Sequence, residues 1–279
     1  YGTISATNLL VNGVAVGGAT GLSDLTDALN NITDNYLFIG HKGGSAGADD
    51  DFNIGIGYQA LEHLNNGGAI YNTALGYRAA YEVSGTLDQL TAIGAQAGYQ
   101  NTGASLSAMG VNSAFQNTGA NVSAMGRDSA RSNTGNAVTA IGTNSAYQNT
   151  GAELTALGVN SGYQNTGVDA TALGYASGYQ NTVGYVTAVG NQSAYQNAGE
   201  RSTVIGVNAG YGNTGTYLSA VGMNAGMQNT GNFVTGMGYL SAYQNKGNNV
   251  SALGRSSAAG NTGHSVTVMG VEAGRDNKS

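Results

Sequence analysis

Three histidines, His41, His63 and His264, have the widest chemical range in this chain, because an imidazole binds metals and moves protons near neutral pH. Such work needs the groups to converge. His264 lies about twelve coils of the repeat described below from His63, roughly 58 Å at about 4.8 Å per coil, so surface or interface histidines are expected. Fifteen carboxylates accompany them. The densest group, Asp49-Asp50-Asp51, is the one candidate for holding calcium through its oxygens. It lacks the alternating Asp-x-Asp-x-Asp-Gly spacing of a dedicated calcium loop, and a solvated loop is the competing reading. Glu153 and Asp169 fall in successive copies of the repeat and can come close, and a glycosidase pair needs two carboxylates within about 10 Å. The remaining chemistry is aromatic. Tyr99, Phe115, Tyr147, Tyr163, Tyr179, Tyr195, Tyr211 and Tyr243 share one place of the repeat, interrupted by Arg131, Met227, Ala259 and Arg275. A ladder of Tyr147, Tyr163, Tyr179 and Tyr195 beside Gln and Asn can contact a glycan, or it can pack ring on ring as a scaffold. No Gly-x-Ser-x-Gly elbow, Walker loop or His-Glu-x-x-His is present, and the absence of cysteine removes thiol catalysis and Cys-based zinc sites. The expectation is a protein that is not an enzyme and has no cofactor.

The element that must position these residues is the repeat itself. A tetrapeptide of small hydroxyl, small apolar, large apolar and Gly recurs, as in Thr139-Ala140-Ile141-Gly142, and its glycines run from Gly94 to Gly270 at a constant spacing of 16. Looser copies end at Gly40, Gly57 and Gly76, so fifteen coils are expected. Counting places from the glycine, the eighth is always Asn: Asn101, Asn117, Asn133, Asn149, Asn165, Asn181, Asn197, Asn213, Asn229, Asn245 and Asn261 in the first eleven strict copies, and Asn277 in the last. The tenth is usually Gly. Asn and Gly tolerate positive φ, so corners are predicted at places eight to ten and one to three, leaving two short strands per coil. The Asn column is predicted to point into the turn and to run hydrogen bonds from coil to coil.

Sixteen residues are too few for a helix pair or a propeller blade, and no 3.6-residue apolar period runs through them. Stacked parallel β-coils remain, and fifteen of them make a rod on the order of 70 Å long. Places thirteen and fifteen are Val/Leu and Ala, while fourteen and sixteen are Thr/Ser and Ile/Leu/Met, so both faces of the strand are small or apolar. One interior covers one face. The other is expected to be buried against partner chains.

Repeated hydroxyl-Ala-Ile-Gly followed by Asn-Ser-Ala resembles the head domain of trimeric autotransporter adhesins, over residues 38 to 279, and similar repeats are found in bacteriophage tail fibres. The resemblance implies an all-β, left-handed parallel β-roll in which three chains pack side by side. The family unit is nearer fourteen residues, so the Tyr-Gln-Asn-Thr-Gly corner is a departure. Residues 38–93 are read as irregular coils and 94–279 as the regular roll. Residues 1–37 are a connector, with a hairpin about Asn12-Gly13 and a short heptad helix through Leu22, Leu25, Leu29 and Ile32 that Ser23 caps.

Composition narrows the partners. Charged residues are 9% of the chain and the net charge is −6, which argues against a nucleic-acid groove, and no apolar run has the length of a membrane span. The chain opens on Tyr1 rather than Met and is read as a piece of something longer. The expected function is a segment of a phage tail fibre, on the virion and outside the cell. It binds other fibre or virion proteins at its N-terminal side and attaches to a host cell-surface glycan or protein receptor. The alternative is the head of a bacterial trimeric surface adhesin. A remote alternative is an ice-binding solenoid, which needs a flat, exposed Thr array.

Overall fold

The computed structural model describes residues 53–63, 71–84 and 89–278, together with four short strands nearer the N-terminus. Strands β1 (Leu10–Val11) and β2 (Val14–Ala15) pair antiparallel with Val11 opposite Val14, the pairing expected of a hairpin there, while Asn12 and Gly13 lie outside the described residues. Strand β3 (Ala28–Asn31) pairs antiparallel with β4 (Tyr36–Ile39). Leu29, expected on a heptad helix, therefore stands in a strand: pairing with Phe38 satisfies its backbone where a two-heptad helix is marginal. Leu22, Ser23, Leu25 and Ile32 lie outside the described residues.

From β4 onward every strand is parallel to the next, one per coil, to β18 (Thr267–Met269), and with β3 they form a single 16-stranded sheet. The described residues make about thirteen turns of an all-β parallel solenoid. In the strict region each residue pairs with its own copy: Val138 with Val122, Ala140 with Ala124, Ile141 with Met125. Identical neighbours at every rung leave no alternative register with equal packing.

The second strand expected in each coil does not form. Places one to eight fold instead as three overlapping turns, with Ser145, Tyr147 and Asn149 amides donating to the Gly142, Asn144 and Ala146 carbonyls. Asn144, Ala146 and Gln148 are all left-handed, at φ 54°, 52° and 51°. That conformation costs about 1–2 kcal/mol for an L-residue. What offsets it is a full set of bonds between coils, because the Asn144, Ala146 and Gln148 amides donate alternately backward and forward, to the Arg127, Ser161 and Arg131 carbonyls at 2.8–3.0 Å. Each turn is thus stitched to both neighbours without being a strand.

Between the strand and this turn ribbon lies a one-residue-deep interior. Leu154 and Ala156 face Ser145, Ala146 and Asn149, and all five are buried. Ser145 Oγ donates to the Ala156 carbonyl at 2.8 Å, and Ser129 and Ser161 do the same to Ala140 and Ala172, so the inner hydroxyl ties ribbon to strand. Where Val204 replaces the usual Ala, the facing ribbon residue is Gly210, whose missing Cβ would sit 2.6 Å from a Val204 methyl. At this pair the added Val volume is matched by the lost Cβ.

Candidate functional site

The corner at places six to eight carries three columns. The asparagines from Asn101 to Asn261 are buried, and each from Asn117 onward donates Nδ2 to the Oδ1 of its copy one coil earlier, at 2.7–3.0 Å across the column. The same Nδ2 donates to the place-ten carbonyl of its own coil, as Asn165 does to Gly167 at 2.7 Å. No ligand-facing capacity is left in this column. Beside it the glutamines form an outer ladder, with Gln180 Nε2 donating to Gln164 Oε1 at 2.9 Å.

The tyrosines stack. Tyr147, Tyr163, Tyr179 and Tyr195 have ring centroids 4.8–5.1 Å apart and planes within 4° of parallel. Each interior ring has both faces covered by its neighbours, so the ladder offers edges and hydroxyls to a glycan rather than the ring faces on which a sugar stacks. Burial between rings, and then the neighbouring Tyr163 and Tyr195, raise the Tyr179 phenol above its ordinary value. Among the interruptions, Arg131 is part of the stack, with its guanidinium 4.9 Å from the Phe115 ring centroid and 6.0 Å from that of Tyr147. Ala259 puts no ring into the column.

The outward face of the strand is different. Places thirteen and fifteen are buried, while place sixteen projects outward: Met109, Met125, Ile141 and Leu157 are 37–49% exposed. Val111, Val159, Val207, Met223 and Tyr239 at place two widen this apolar stripe in their coils, while Arg127, Thr143, Asn191 and Arg255 interrupt it at that place. Stripes of this size mark contact surfaces. The place-fourteen hydroxyls between are half-buried or exposed, a single rank flanked by apolar residues, which is not the flat Thr array that ice needs.

At the far edge of the same face is a column that the sequence reading missed. Place twelve is Ser105, Asn121 and Ala137 early in the rod, but Tyr185, Arg201, Tyr217 and Phe233 in four consecutive later coils. Arg201 lies 5.3 Å from both the Tyr185 and Tyr217 ring centroids, its Nη1 donates to Tyr217 Oη at 3.2 Å, and Tyr217 stacks on Phe233 at 4.7 Å. All four are left-handed and about half exposed. The signal was the 16-residue spacing of four large side chains, hidden because their types differ.

Glu153 and Asp169 also stand at place twelve, in adjacent coils, and their carboxyls hydrogen-bond. That bond, followed by the charge of Asp169, raises the Glu153 pKa above the ordinary value. The two described histidines, His63 and His264, do not meet. His63 sits edge-on to Tyr81 at 5.5 Å and 3.6 Å from the Glu62 carboxylate, whereas His264 Nδ1 accepts from the Asn248 amide at 3.1 Å. His41 and Asp49, Asp50 and Asp51 lie outside the described residues. Among the described residues no three His, Asp or Glu side chains cluster as metal ligands, and no helix is long and apolar enough to cross a membrane. No protein-family model, no curated protein and no solved structure matches this chain.

Proposed function

We propose that the chain is a segment of a homotrimeric attachment fibre, of the phage tail-fibre type, which holds host-binding parts away from the particle. The observation that carries this reading is the exposed apolar stripe at places sixteen and two. A single chain satisfies its backbone and its Asn, Gln and Tyr columns internally, yet leaves Met125, Ile141 and Leu157 in water along with their copies. Burying them against parallel copies is worth about 25 cal/mol per Å2 of apolar surface, repeated at every coil. The resemblance to trimeric adhesin heads sets the number of chains at three and the hand of the roll as left. A rod stitched at each 16-residue step suits a spacer, since each coil contacts only its neighbours and adds a fixed increment of length.

Sedimentation tests it. The chain is expected at three times its own 27.9 kDa, and a monomer at micromolar concentration overturns the proposal. Changing Met125 and Ile141 together to Asp should give single chains whose β-sheet circular dichroism matches the parent, because both side chains point away from the interior.

A further inference from the structure

Two corner columns stop in the same coil. At place six Tyr243 is followed by Ala259, and at place seven the glutamine ladder gives way to Gly260. One coil earlier, place nine is Lys246 where the coils on either side have Thr230 and Thr262. The departures meet in a notch of about 340 Å3 lined by Gln228, Gln244, Lys246, Gly260 and Thr262. Backbone geometry does not require them: Gly260 has φ 68°, in the same left-handed region as Gln244 at 50°. A side chain on Gly260 would displace only the flexible carboxylate of Asp276, which reaches over it from the next coil. This coil leaves Tyr243 without a ring and Gln244 without a glutamine on its C-terminal side.

The lining has unused capacity. Gln244 Nε2 donates to Gln228 Oε1 at 2.9 Å, but its own Oε1, which at Gln148, Gln164 and Gln180 accepts from the next glutamine, meets a glycine there, as it does at Gln196. No ion pair among the described residues occupies the Lys246 ammonium. A ligand that fits must bring an anion for Lys246 and hydroxyl donors for Gln244 Oε1, while the Thr262 hydroxyl, which donates to the Asn277 carbonyl at 3.2 Å, can accept. A bare phosphate lacks the hydroxyl donors, and a neutral sugar leaves the cation unused.

We propose that this notch is a subsite for a carboxylate-bearing sugar unit, of the hexuronate type, in a surface polysaccharide. Its biological partner rests on the attachment reading above, while its chemistry does not. Places six to nine lie at the opposite corner of the coil from the apolar stripe, so the notch stays open when the stripe is covered. Parallel copies present identical notches at one level, which multiplies a weak single-site affinity.

Calorimetric titration of the full chain with a glucuronate-containing disaccharide and with its neutral glucose counterpart tests this. The acidic sugar should bind about tenfold more tightly, and Lys246→Thr, which restores the residue usual at that place, should remove that advantage. Ala259→Tyr with Gly260→Gln completes the two columns and should abolish binding while melting at or above the parent temperature, so that loss cannot be assigned to unfolding. Absence of binding by the parent overturns the proposal, as does equal binding of the two sugars or unchanged binding by the filled variant. Sedimentation of the same samples reads the fibre assignment separately: a trimer that binds neither sugar loses the notch and keeps the fibre.

Discussion

The corner at places six to eight and the outward strand face are built from the same 16-residue repeat, yet they end in opposite states. On the corner, Asn, Gln and Tyr each find their partner in the copy one coil away, and little capacity is left over. On the strand face, Ile141, Leu157 and their copies touch the next coil along the rod but remain in water on the outside. Regular repetition therefore does not separate scaffold from contact surface. Whether a column's capacity is used up within one chain does.

The sharpest way to break the corner side of that contrast is at the glycine from which each coil starts. Gly142 has φ 129°, and a Cβ there would lie 2.5 Å from the Gly158 carbonyl oxygen. Gly142→Ala should cost about 3 kcal/mol or more per chain, read as a lower midpoint in urea, since the obstacle is backbone of the next coil and has nowhere to go. A variant that melts like the parent would mean that the coils slide relative to each other.

Asn165→Ala comes next. It removes donors to Asn149 Oδ1 and the Gly167 carbonyl and the acceptor of Asn181 Nδ2, all inside the corner. A buried partner left unpaired costs about 1–3 kcal/mol. Thr155→Ala, on the strand face at the next coil's level, should change the midpoint of the isolated chain by less than about 0.5 kcal/mol. If Asn165→Ala melts like the parent and instead loses host-surface binding, the column is a recognition surface and the contrast between the two sides fails.

How much of this was legible in the sequence depends on whether a residue type has a conformational signature. The strand Leu154–Leu157 and the corner at Asn149 to Gly151 were, because β-branched or aliphatic alternation and Asn-x-Gly each have a specific backbone preference. The turn ribbon was not. Ala146 and Gln148 are poor left-handed residues in isolation and adopt that region because amides of adjacent coils reward it, a non-local gain that no window of sequence displays. The heptad pattern misled at Leu29 for a related reason: its antiparallel pairing with Phe38 is a gain from another segment, which the spacing of apolar residues does not display. Of the candidate sites, the spacing placed Tyr163 and Tyr179 in one column but not their faces, which only ring-to-ring distance decides. Lys246 and Gly260 looked like ordinary drift until the coil stacking brought them together.

The smallest effect expected is also the most specific to the strand face, where Glu153 and Asp169 stand in adjacent coils with no opposite charge paired to either among the described residues. The folded chain holds them at hydrogen-bond distance, and Asp169 raises the Glu153 pKa by accepting that bond and by its own charge. A raised carboxyl pKa means that the folded state binds the proton more tightly than the unfolded chain does. The contribution is thus fully present at pH below the ordinary carboxylate value and is lost as pH rises through the raised one. Both groups are exposed, so solvent screens the repulsion and the effect on melting is small. Glu153→Gln keeps a donor toward Asp169 at every pH and deletes the like charge. The variant should therefore melt with the parent in mild acid and slightly above it at neutral pH. The opposite order, with the parent more stable at neutral pH than in acid relative to the variant, would show that a cation from elsewhere sits between the two carboxylates and that the strand face is less open than the chain alone presents it.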